Sequence, residues 1–285
     1  MSNEISNART HDRDHKAYDE KTDPDIIQHG RKCTICTVKF TLRFFLNFSG
    51  MNDIYNDETY LTNNPTWHEE GAPFKTEKII SLLKRHPIAL KTVCEIGCGS
   101  GEILVQLEKN LPAEVQFTGL DISKDAMAIA KKKETQKIKF ELKDIAEENR
   151  VFDLLLVIDV IEHIDNYFQF LDTIVSKGKY TLFHIPLDMS VWTLFREKML
   201  IESKNRVGHI HNFTEDFILS ILADHGFELV DKIYTEPLFD SPTFKQKIAN
   251  GIRKFLFILN KKFSTKFMGG YSVMVLCRNG RTNYE

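Results

Sequence analysis

Thr92-Val-Cys-Glu-Ile-Gly-Cys-Gly-Ser-Gly101 is the stretch that decides the fold of this 285-residue chain. Its β-forming residues lead into three glycines at alternate positions, Gly97, Gly99 and Gly101. Glycine lets the backbone turn tightly and approach a bound molecule closely, because a Cβ would obstruct that approach. Apolar residues then recur at helical spacing as far as Pro112, which predicts a helix whose first N–H groups point at that molecule. The apolar residues of this helix are Ile103, Leu104, Leu107 and Leu111.

The spacing of these glycines distinguishes two kinds of nucleotide-binding fold. The dinucleotide fingerprint G-x-G-x-x-G places its third glycine three residues after the second. This chain has G-x-G-x-G instead, with Glu95 two residues ahead of the first glycine. The spacing therefore disfavours an NAD-dependent oxidoreductase, which is the rival enzyme class.

Two further acids follow predicted strands. Asp121 ends the strand-like run Val115–Leu120, where a carboxylate can accept both hydroxyls of a ribose. Its alternative role is to start the next helix favourably. Asp144 follows Lys137–Lys143, whose alternation of apolar and charged residues predicts another strand. An isolated acid after a strand would mean little, but its position in register with Asp121 supports a role in binding.

Next come Phe152-Asp153 and the string Val157-Ile-Asp-Val-Ile-Glu-His-Ile164. This string resembles motif IV of the class I S-adenosylmethionine (SAM)-dependent methyltransferases, and the glycine loop resembles their motif I. The matches run from about Phe74 to Cys277, and the chain is most similar to the small-molecule type that includes the ubiquinone-biosynthesis O-methyltransferases. The resemblance implies an α/β, Rossmann-like fold: a seven-stranded, mostly parallel sheet with helices on both faces and an antiparallel last strand.

The resemblance also implies SAM as cofactor and suggests roles for single residues. In the family, the acid at the position of Asp144 binds the adenine amino group, with an apolar neighbour against the ring. A cation on the helix that begins near Pro73 can pair with the SAM carboxylate; Lys75 is the candidate, and a solvated surface lysine is the alternative. The predicted cofactor-binding residues are Lys75, Glu95, Gly97, Cys98, Gly99, Gly101, Asp121, Ile122, Asp144, Ile145 and Asp159.

Asp159, Glu162 and His163 raise the question of a metal. In ubiquinone-type O-methyltransferases and in small-RNA 3′-terminal 2′-O-methyltransferases, similar strings hold a divalent metal. Carboxylates with one imidazole could hold one here in principle. The first acid is the shorter Asp, however, and many relatives carry D-x-x-E-H without metal. We therefore predict no metal, and a strand-end network that shapes the SAM and substrate cleft.

The segment 186–213 is an insertion between the fifth strand and the next helix. Ligands of open parallel sheets bind beyond the carboxyl ends of the strands, so this segment should roof the acceptor pocket. His209 or His211 could act as general base there, because imidazole titrates near neutral pH. An isolated H-x-H also suits metal binding or ordinary hydrogen bonding in a loop. We predict these two histidines as the catalytic residues.

The ends of the chain differ in composition from its middle. Residues 1–50 are mostly polar and are expected to form a disordered or poorly ordered extension, whereas 51–285 form the methyltransferase domain. Cys33 and Cys36 lack a second pair at zinc-binding spacing, which favours two incidental thiols. A second insertion, 238–269, contains the basic amphipathic stretch 245–266, which either contacts a membrane surface or packs on its own domain.

Composition bounds the location and the partners. The net charge of −2 gives no field that would favour nucleic acid, so none is expected as a partner. The five cysteines are scattered, and neither a signal-like start nor a transmembrane run is present, which favours the cytoplasm. The predicted reaction is methyl transfer to oxygen or nitrogen of a small-molecule, sugar or lipid-linked acceptor. The alternatives are a protein or RNA methyltransferase, or a SAM-binding regulatory protein without catalysis.

Overall fold

A computed structural model describes Trp67, residues 69–236 and residues 244–280, of which 244–250 are described for the backbone alone. The predictions for residues 1–50, including Cys33 and Cys36, lie outside this range. The described residues form an α/β fold around a seven-stranded sheet of order β3-β2-β1-β4-β5-β7-β6. The strands are β1 (Thr92–Ile96), β2 (Gln116–Asp121), β3 (Ile138–Leu142), β4 (Phe152–Ile158), β5 (Gly178–Pro186), β6 (Phe227–Thr235) and β7 (Ser272–Asn279).

Strand direction follows the predicted pattern. β1 pairs in parallel with β2 and β4, and the parallel pairing extends to β3 on one side and β5 on the other. The last strand, β7, lies between β5 and β6 and is antiparallel to both. The prediction of a mostly parallel, Rossmann-like sheet with an antiparallel last strand is confirmed.

Within the described residues, some α-helices connect these strands and others lie in the two insertions. The segment 186–213 contains α5 and α6, and the segment 238–269 contains α8 and α9. No helix within the described ranges is both long and apolar enough to cross a bilayer. The helices are α1 (Ala72–Arg85), α2 (Glu102–Glu108), α3 (Lys124–Ala130), α4 (Tyr167–Ile174), α5 (Val191–Leu194), α6 (Lys198–Val207), α7 (Glu215–Asp224), α8 (Phe244–Leu259) and α9 (Lys261–Met268).

One helix differs from its predicted extent. Apolar spacing predicted that the helix after the glycine loop would include Leu111, but α2 ends at Glu108. The N–H of Asn110 donates to the carbonyl of Leu107, three residues back, and the N–H of Leu111 donates to the same carbonyl, which closes the chain into a turn before Pro112. Periodicity alone could not separate a last helical turn from this turn, because both place Leu111 on the same face.

The sheet is buried on both faces, as its sequence indicates. Every residue of β4 is buried, which explains the continuous apolar run in that strand. One apolar cluster includes Phe183 and Ile218, and a second cluster includes Ile79 and Leu104. These two clusters fix the strands, so the residues that follow the strands at their carboxyl ends have defined positions.

The glycine loop requires glycine at its first and last positions. Gly97 and Gly101 have φ angles of +67° and +77°, in the left-handed region that side chains rarely adopt. A Cβ on Gly97 would lie 2.8 Å from Val160, and one on Gly101 would lie 2.3 Å from the ring of Phe140. The loop therefore lies against its own sheet too closely for any larger residue.

Candidate active site

The glycine loop is bound to the end of β2, and Asp121 makes the strongest connection. The N–H of Gly97 donates to the carbonyl of Leu120 over 2.8 Å. Asp121 accepts at both carboxylate oxygens, from the N–H of Gly99 and from that of Ser123, each at 2.8 Å. A carboxylate offers about four acceptor positions, so Asp121 retains capacity for the hydroxyls of a ribose.

Glu95 is a buried acid in β1 beside this loop. Its side chain is 2% exposed, and its Oε2 has no hydrogen-bond partner among the described residues. Burial raises the pKa of Glu95 to about 8, although the charge of Lys75 acts in the opposite direction. A buried acid with a raised pKa is suited to meet a cationic group that arrives with a ligand. We call Glu95–Gly101 with Asp121 the cofactor side of the site.

The other predicted cofactor residues lie around the same strand ends. Cys98 is buried, and burial raises the pKa of its thiol well above the usual range, so the thiol stays neutral. Asp144 accepts a hydrogen bond from the N–H of Ala146 at 2.8 Å and so caps the short 3₁₀ helix Ile145–Glu147. Ile145 is buried in the core and Ile122 is half-buried, so of these two isoleucines Ile122 is the more accessible to an adenine ring.

Asp159 follows β4, and two side chains, Lys75 and His184, hold its carboxylate. Lys75 Nζ lies 2.6 Å from one carboxylate oxygen, and His184 Nδ1 lies 2.5 Å from the other. Burial acts to raise the pKa of Asp159, but the charges of His184 and Lys75 outweigh it and hold that pKa well below its usual range. Lys75 thus lies at the site with Asp159 as its partner, and its predicted contact with the SAM carboxylate stays a prediction.

Glu162 has the opposite environment only three residues later. It is 1% exposed, and neither carboxylate oxygen has a hydrogen-bond partner among the described residues. Burial, and then the charge of Asp159, raise the pKa of Glu162 well above its usual range. Leaving a buried carboxyl group unpaired is costly, so this residue indicates a function beyond stability.

The segment Gly208–His211 is fixed directly onto Glu162 and His163. The N–H groups of Ile210 and His211 both donate to the carbonyl of Glu162, at 3.0 and 3.1 Å. In return, Nδ1–H of His163 donates to the carbonyl of Gly208 over 3.0 Å. These contacts bring the end of the 186–213 insertion to the end of β4, and its role as a roof over the acceptor stays a prediction.

The two predicted catalytic histidines differ in which nitrogen is engaged. Nδ1 of His209 lies 2.8 Å from Asp188 Oδ2, and because a carboxylate only accepts, Nδ1–H is the donor. Its Nε2 therefore faces Glu162, 4.0 Å from Oε1. In His211, Nε2–H donates to the carbonyl of Ile164 over 3.0 Å. We call Glu162, His163, Asp188 and His209 the acceptor side of the site.

Sequence reasoning missed Asp188 and His184. Asp188 follows β5 by two residues and orients His209, while His184 lies within β5 and contacts both Asp159 and the hydroxyl of Thr235, the latter at 2.8 Å. The only available signal was a polar side chain near the end of a buried strand. A pattern of that kind does not identify the partner, because the partners lie 21 to 51 positions away in sequence.

Comparison with known proteins agrees with this geometry. Residues 67–232 match the family described as "Methyltransferase domain". No curated protein has a sequence that matches this chain. The N-methyltransferase NodS from Bradyrhizobium japonicum WM9, crystallised with S-adenosyl-L-homocysteine, is 17% identical, with 80% of this chain and 99% of that chain covered and a TM-score of 0.51.

Two other solved structures have the same fold. A chain from the complex of the Haloferax volcanii Trm112 methyltransferase activator with a proposed methyltransferase is 13% identical, covers 81% of this chain and 98% of that chain, and has a TM-score of 0.54. A proposed methyltransferase from Bacillus halodurans C-125 is 15% identical, with coverage of 72% and 98% and a TM-score of 0.52.

The glycine loop, the strand-end acids and the order of the strands together define a class I methyltransferase fold, whose cofactor is S-adenosylmethionine. The family match spans more than half of the chain. The chain belongs to the methyltransferase domain family and is a SAM-dependent enzyme of class I.

Proposed function

We propose that this enzyme transfers the methyl group of SAM to an oxygen or nitrogen of a small-molecule, sugar or lipid-linked acceptor. The observation that carries the proposal is the pairing of Asp188 with His209 beside the buried Glu162. A hydroxyl or ammonium acceptor must lose a proton, and this group of residues is built for a proton or positive charge. The pairing lies at the carboxyl ends of β4 and β5, where ligands of parallel sheets bind.

The reaction needs little from the protein besides orientation. The acceptor atom attacks the methyl carbon in line, the new bond to carbon forms, and the C–S bond breaks with its electron pair left on sulfur. The products are methylated acceptor and S-adenosyl-L-homocysteine. Since the sulfonium is already activated, the enzyme contributes proximity and removal of one proton. We assign the cofactor to the cofactor side, with Asp121 at the ribose and Asp144 near the adenine.

Removal of the acceptor's proton depends on His209 rather than His211 in this proposal. The Nδ1–H of His209 donates to a carboxylate, an arrangement that sets the tautomer and leaves Nε2 as the acceptor of a proton. His211 uses its Nε2–H to hold a backbone carbonyl, and its ring packs edge-on against Tyr167 at 4.8 Å between centroids. These contacts support a positioning role for His211.

A screen of metabolite and lipid extracts with methyl-labelled SAM, followed by identification of the labelled product, tests the proposal. With the acceptor identified, His209→Ala should lower the rate by roughly 10²–10⁴ at unchanged SAM affinity, and His211→Ala should lower it less. Equal, near-wild-type rates for both would remove the role of His209. SAM binding without transfer to any extract would favour a non-catalytic regulatory protein, and label on protein or RNA alone would favour the macromolecular alternative.

The lipid-linked form of the acceptor is favoured by the surface of the two insertions. Phe195 of 186–213 is 85% exposed, and Ile258 at the end of α8 is 81% exposed. The stretch 245–266 carries seven Lys or Arg residues and no Asp or Glu. Exposed apolar side chains beside an excess of cations are typical of helices that lie on anionic membranes. α9 contacts α5, so the two insertions adjoin.

Sedimentation of the full chain with vesicles tests this membrane contact. Binding to phosphatidylcholine vesicles that contain phosphatidylserine should exceed binding to phosphatidylcholine alone, and salt should reduce it. Ile258→Ser should weaken binding by about tenfold, because it removes one buried apolar side chain. The matched control is Phe217→Ser in α7, which is 57% exposed outside the insertions. Equal losses in both variants would contradict the assignment of this surface.

We also propose a reducing, cytoplasmic location. Among the described residues, Cys94, Cys98 and Cys277 are free and buried. Three unpaired thiols in one core fit a compartment in which disulfides do not form. Localisation of the tagged chain by fractionation checks this assignment.

A further inference from the structure

Two hydrogen-bond acceptors lie close together on the acceptor side. Oε1 of Glu162 lies 4.0 Å from Nε2 of His209, which is too far for a direct hydrogen bond. Because Nδ1–H of His209 donates to Asp188, Nε2 of the neutral imidazole carries a lone pair rather than a proton. An ionised Glu162 and this imidazole therefore cannot satisfy each other, and each can accept a bond from a group that binds between them.

The carboxyl group of Glu162 shows that a partner is needed at this position. It is 1% exposed, and neither of its oxygens has a hydrogen-bond partner within the described ranges. Burial, and then the charge of Asp159, raise the pKa of Glu162 well above its usual range, so the free protein keeps this group neutral. A positive charge beside a carboxyl group favours its ionised form, and the carboxyl proton then leaves to solvent. The site is thus suited to a group that brings both N–H donors and positive charge.

The distance between the two acceptors fits one nitrogen that donates to both. A nitrogen about 2.9 Å from two atoms that are 4.0 Å apart sees them at an angle of roughly 90°, so both N–H···acceptor angles stay above about 150°. A neutral primary amine has two N–H groups, and its lone pair then points away from both acceptors. A hydroxyl group has a single O–H, so it would leave one of the two acceptors without a donor.

The segment that carries Glu162 lies against the glycine loop, to which we assign SAM. A Cβ on Gly97 would lie 2.8 Å from the side chain of Val160, two residues before Glu162. β1 and β4 are parallel neighbours, so the glycine loop and Glu162 follow strand ends at the same edge of the sheet. An amine that is held at Glu162 therefore lies next to the cofactor side.

We propose that the methyl acceptor of this enzyme is a primary amine, whose two N–H groups donate to Glu162 and to Nε2 of His209. This inference rests on the proposed function and narrows its acceptor atom from oxygen or nitrogen to nitrogen. It also gives Glu162 a catalytic role beside that of His209, because Glu162 touches the reacting nitrogen.

The charge that develops in the reaction agrees with an amine. The ammonium form first loses its third proton to solvent, since only the neutral amine has a lone pair to form the bond to the methyl carbon. The C–S bond breaks with its electron pair left on sulfur, and the nitrogen becomes a secondary ammonium beside the carboxylate of Glu162. Nε2 of His209 then takes one proton, and Asp188 stabilises the imidazolium. A hydroxyl acceptor would instead develop negative charge on oxygen, which the carboxylates of Glu162 and Asp188 would oppose.

Selective blocking of amines tests the acceptor class before the acceptor is known. Metabolite and lipid extracts are treated with the N-hydroxysuccinimide ester of acetic acid, which acetylates amines and leaves alcohols, and are then incubated with the full chain and methyl-labelled SAM. Extracts treated with the hydrolysed reagent are the control. We expect a labelled product in the control extracts, its loss in the blocked extracts, and a methyl group on nitrogen by mass spectrometry. Equal labelling in both extracts, or a methyl group on oxygen, would overturn the amine acceptor.

Glu162→Gln tests the role of the carboxylate once the amine is identified. It should lower kcat/KM by roughly 10²–10³, because the charge stabilises the transition state, while SAM affinity and melting temperature hold. The matched control is Glu215→Gln, a second buried acid, which already has Lys232 and Tyr234 as partners. The control should lower the melting temperature and leave kcat/KM unchanged. A parental kcat/KM in Glu162→Gln, or an equal loss in Glu215→Gln, would contradict the assigned role.

The outcomes separate this inference from the proposed function. If Glu162→Gln does not fold, the blocked extracts still decide the acceptor class, because that experiment uses the unaltered chain. A labelled product in blocked extracts contradicts the amine acceptor alone and leaves methyl transfer in place. The absence of any labelled product from either kind of extract contradicts the proposed function, and the amine acceptor with it.

Discussion

Asp121 on the cofactor side and Glu162 on the acceptor side are both nearly buried carboxylates that follow parallel strands, yet their surroundings differ. Asp121 accepts backbone N–H bonds at both oxygens, whereas Glu162 accepts none among the described residues. The fold therefore satisfies Asp121 by itself and positions the glycine loop before SAM arrives, while Oε2 of Glu95 beside it has no hydrogen-bond partner among the described residues. On the acceptor side, the buried carboxyl group of Glu162 still needs a hydrogen-bond or charge partner, which a ligand, a proton or an ion can supply.

The same contrast appears within motif IV. Asp159 and Glu162 are three residues apart, but the pKa of Asp159 is lowered by His184 and Lys75 while burial raises that of Glu162. When environments push the pKa values of two nearby acids apart, the two acids usually have different roles. Lys75 and His184 engage both oxygens of Asp159, whereas Glu162 has no hydrogen-bond partner among the described residues; the predicted cofactor contact of Asp159 stays a prediction.

The largest effect on stability should come from adding a side chain to the glycine loop of the cofactor side. Gly101→Ala places a Cβ at a φ of +77° and 2.3 Å from the ring of Phe140. Backbone strain and overpacking together should lower the free energy of unfolding by roughly 2–6 kcal/mol, as measured by urea denaturation. The matched control is Gly251→Ala in α8, where a Cβ would meet nothing within 4 Å. Alanine there should stabilise the helix by roughly 0.5–1 kcal/mol. Equal effects of the two substitutions would contradict a closely packed loop.

A smaller effect concerns Glu95, whose pKa is about 8 because it is buried. Below that pH the free protein holds a proton there, and the ammonium of SAM should displace it on binding. SAM affinity should therefore rise with pH between about 6 and 7.5, by at most about tenfold per unit. Calorimetry at several pH values measures the slope, and Glu95→Gln should abolish it. A slope that survives in Glu95→Gln would assign the proton to another group.

Removal of residues 1–50 should leave the SAM affinity unchanged. A chain that begins at Met51 should bind SAM with the affinity of the full chain, because residues 1–50 are mostly polar and the family match starts at residue 67. Isothermal titration of both chains makes the comparison. Weaker SAM binding by the shorter chain would show that residues 1–50 belong to the domain. The cofactor side would then extend beyond Glu95–Gly101 and Asp121.

The two sides also differ in how far the sequence predicts them. The cofactor side was predictable because its parts are local: a strand, three alternate glycines and an acid at the end of the next strand. The acceptor side depends on contacts between Glu162 and Gly208–His211 and between Asp188 and His209, which only the tertiary structure brings together. The sequence predicted His209 and His211 together as catalytic residues but could neither rank one above the other nor place His209 near Glu162.

The extent of α2 and the partner of Lys75 were not predictable for a related reason. Whether Leu111 closes a helix or a turn depends on how the chain reaches β2, and periodicity does not contain that information. Likewise, a lysine in α1 contacts Asp159 only because the helix packs near the end of β4. In both cases a local pattern was correct and its tertiary context decided the result.

The SAM affinities of Asp121→Ala and Glu162→Gln test most directly whether the cofactor side binds SAM independently of the acceptor side. Titration calorimetry on both variants, with folding checked by circular dichroism, is the measurement. We expect Asp121→Ala to lose charge-assisted contacts of roughly 1.5–3 kcal/mol, which is about a tenfold or greater loss of affinity. We expect Glu162→Gln to bind SAM as the parent chain does. Weak SAM binding by Glu162→Gln, or undiminished binding by Asp121→Ala, would show that the two sides do not act separately.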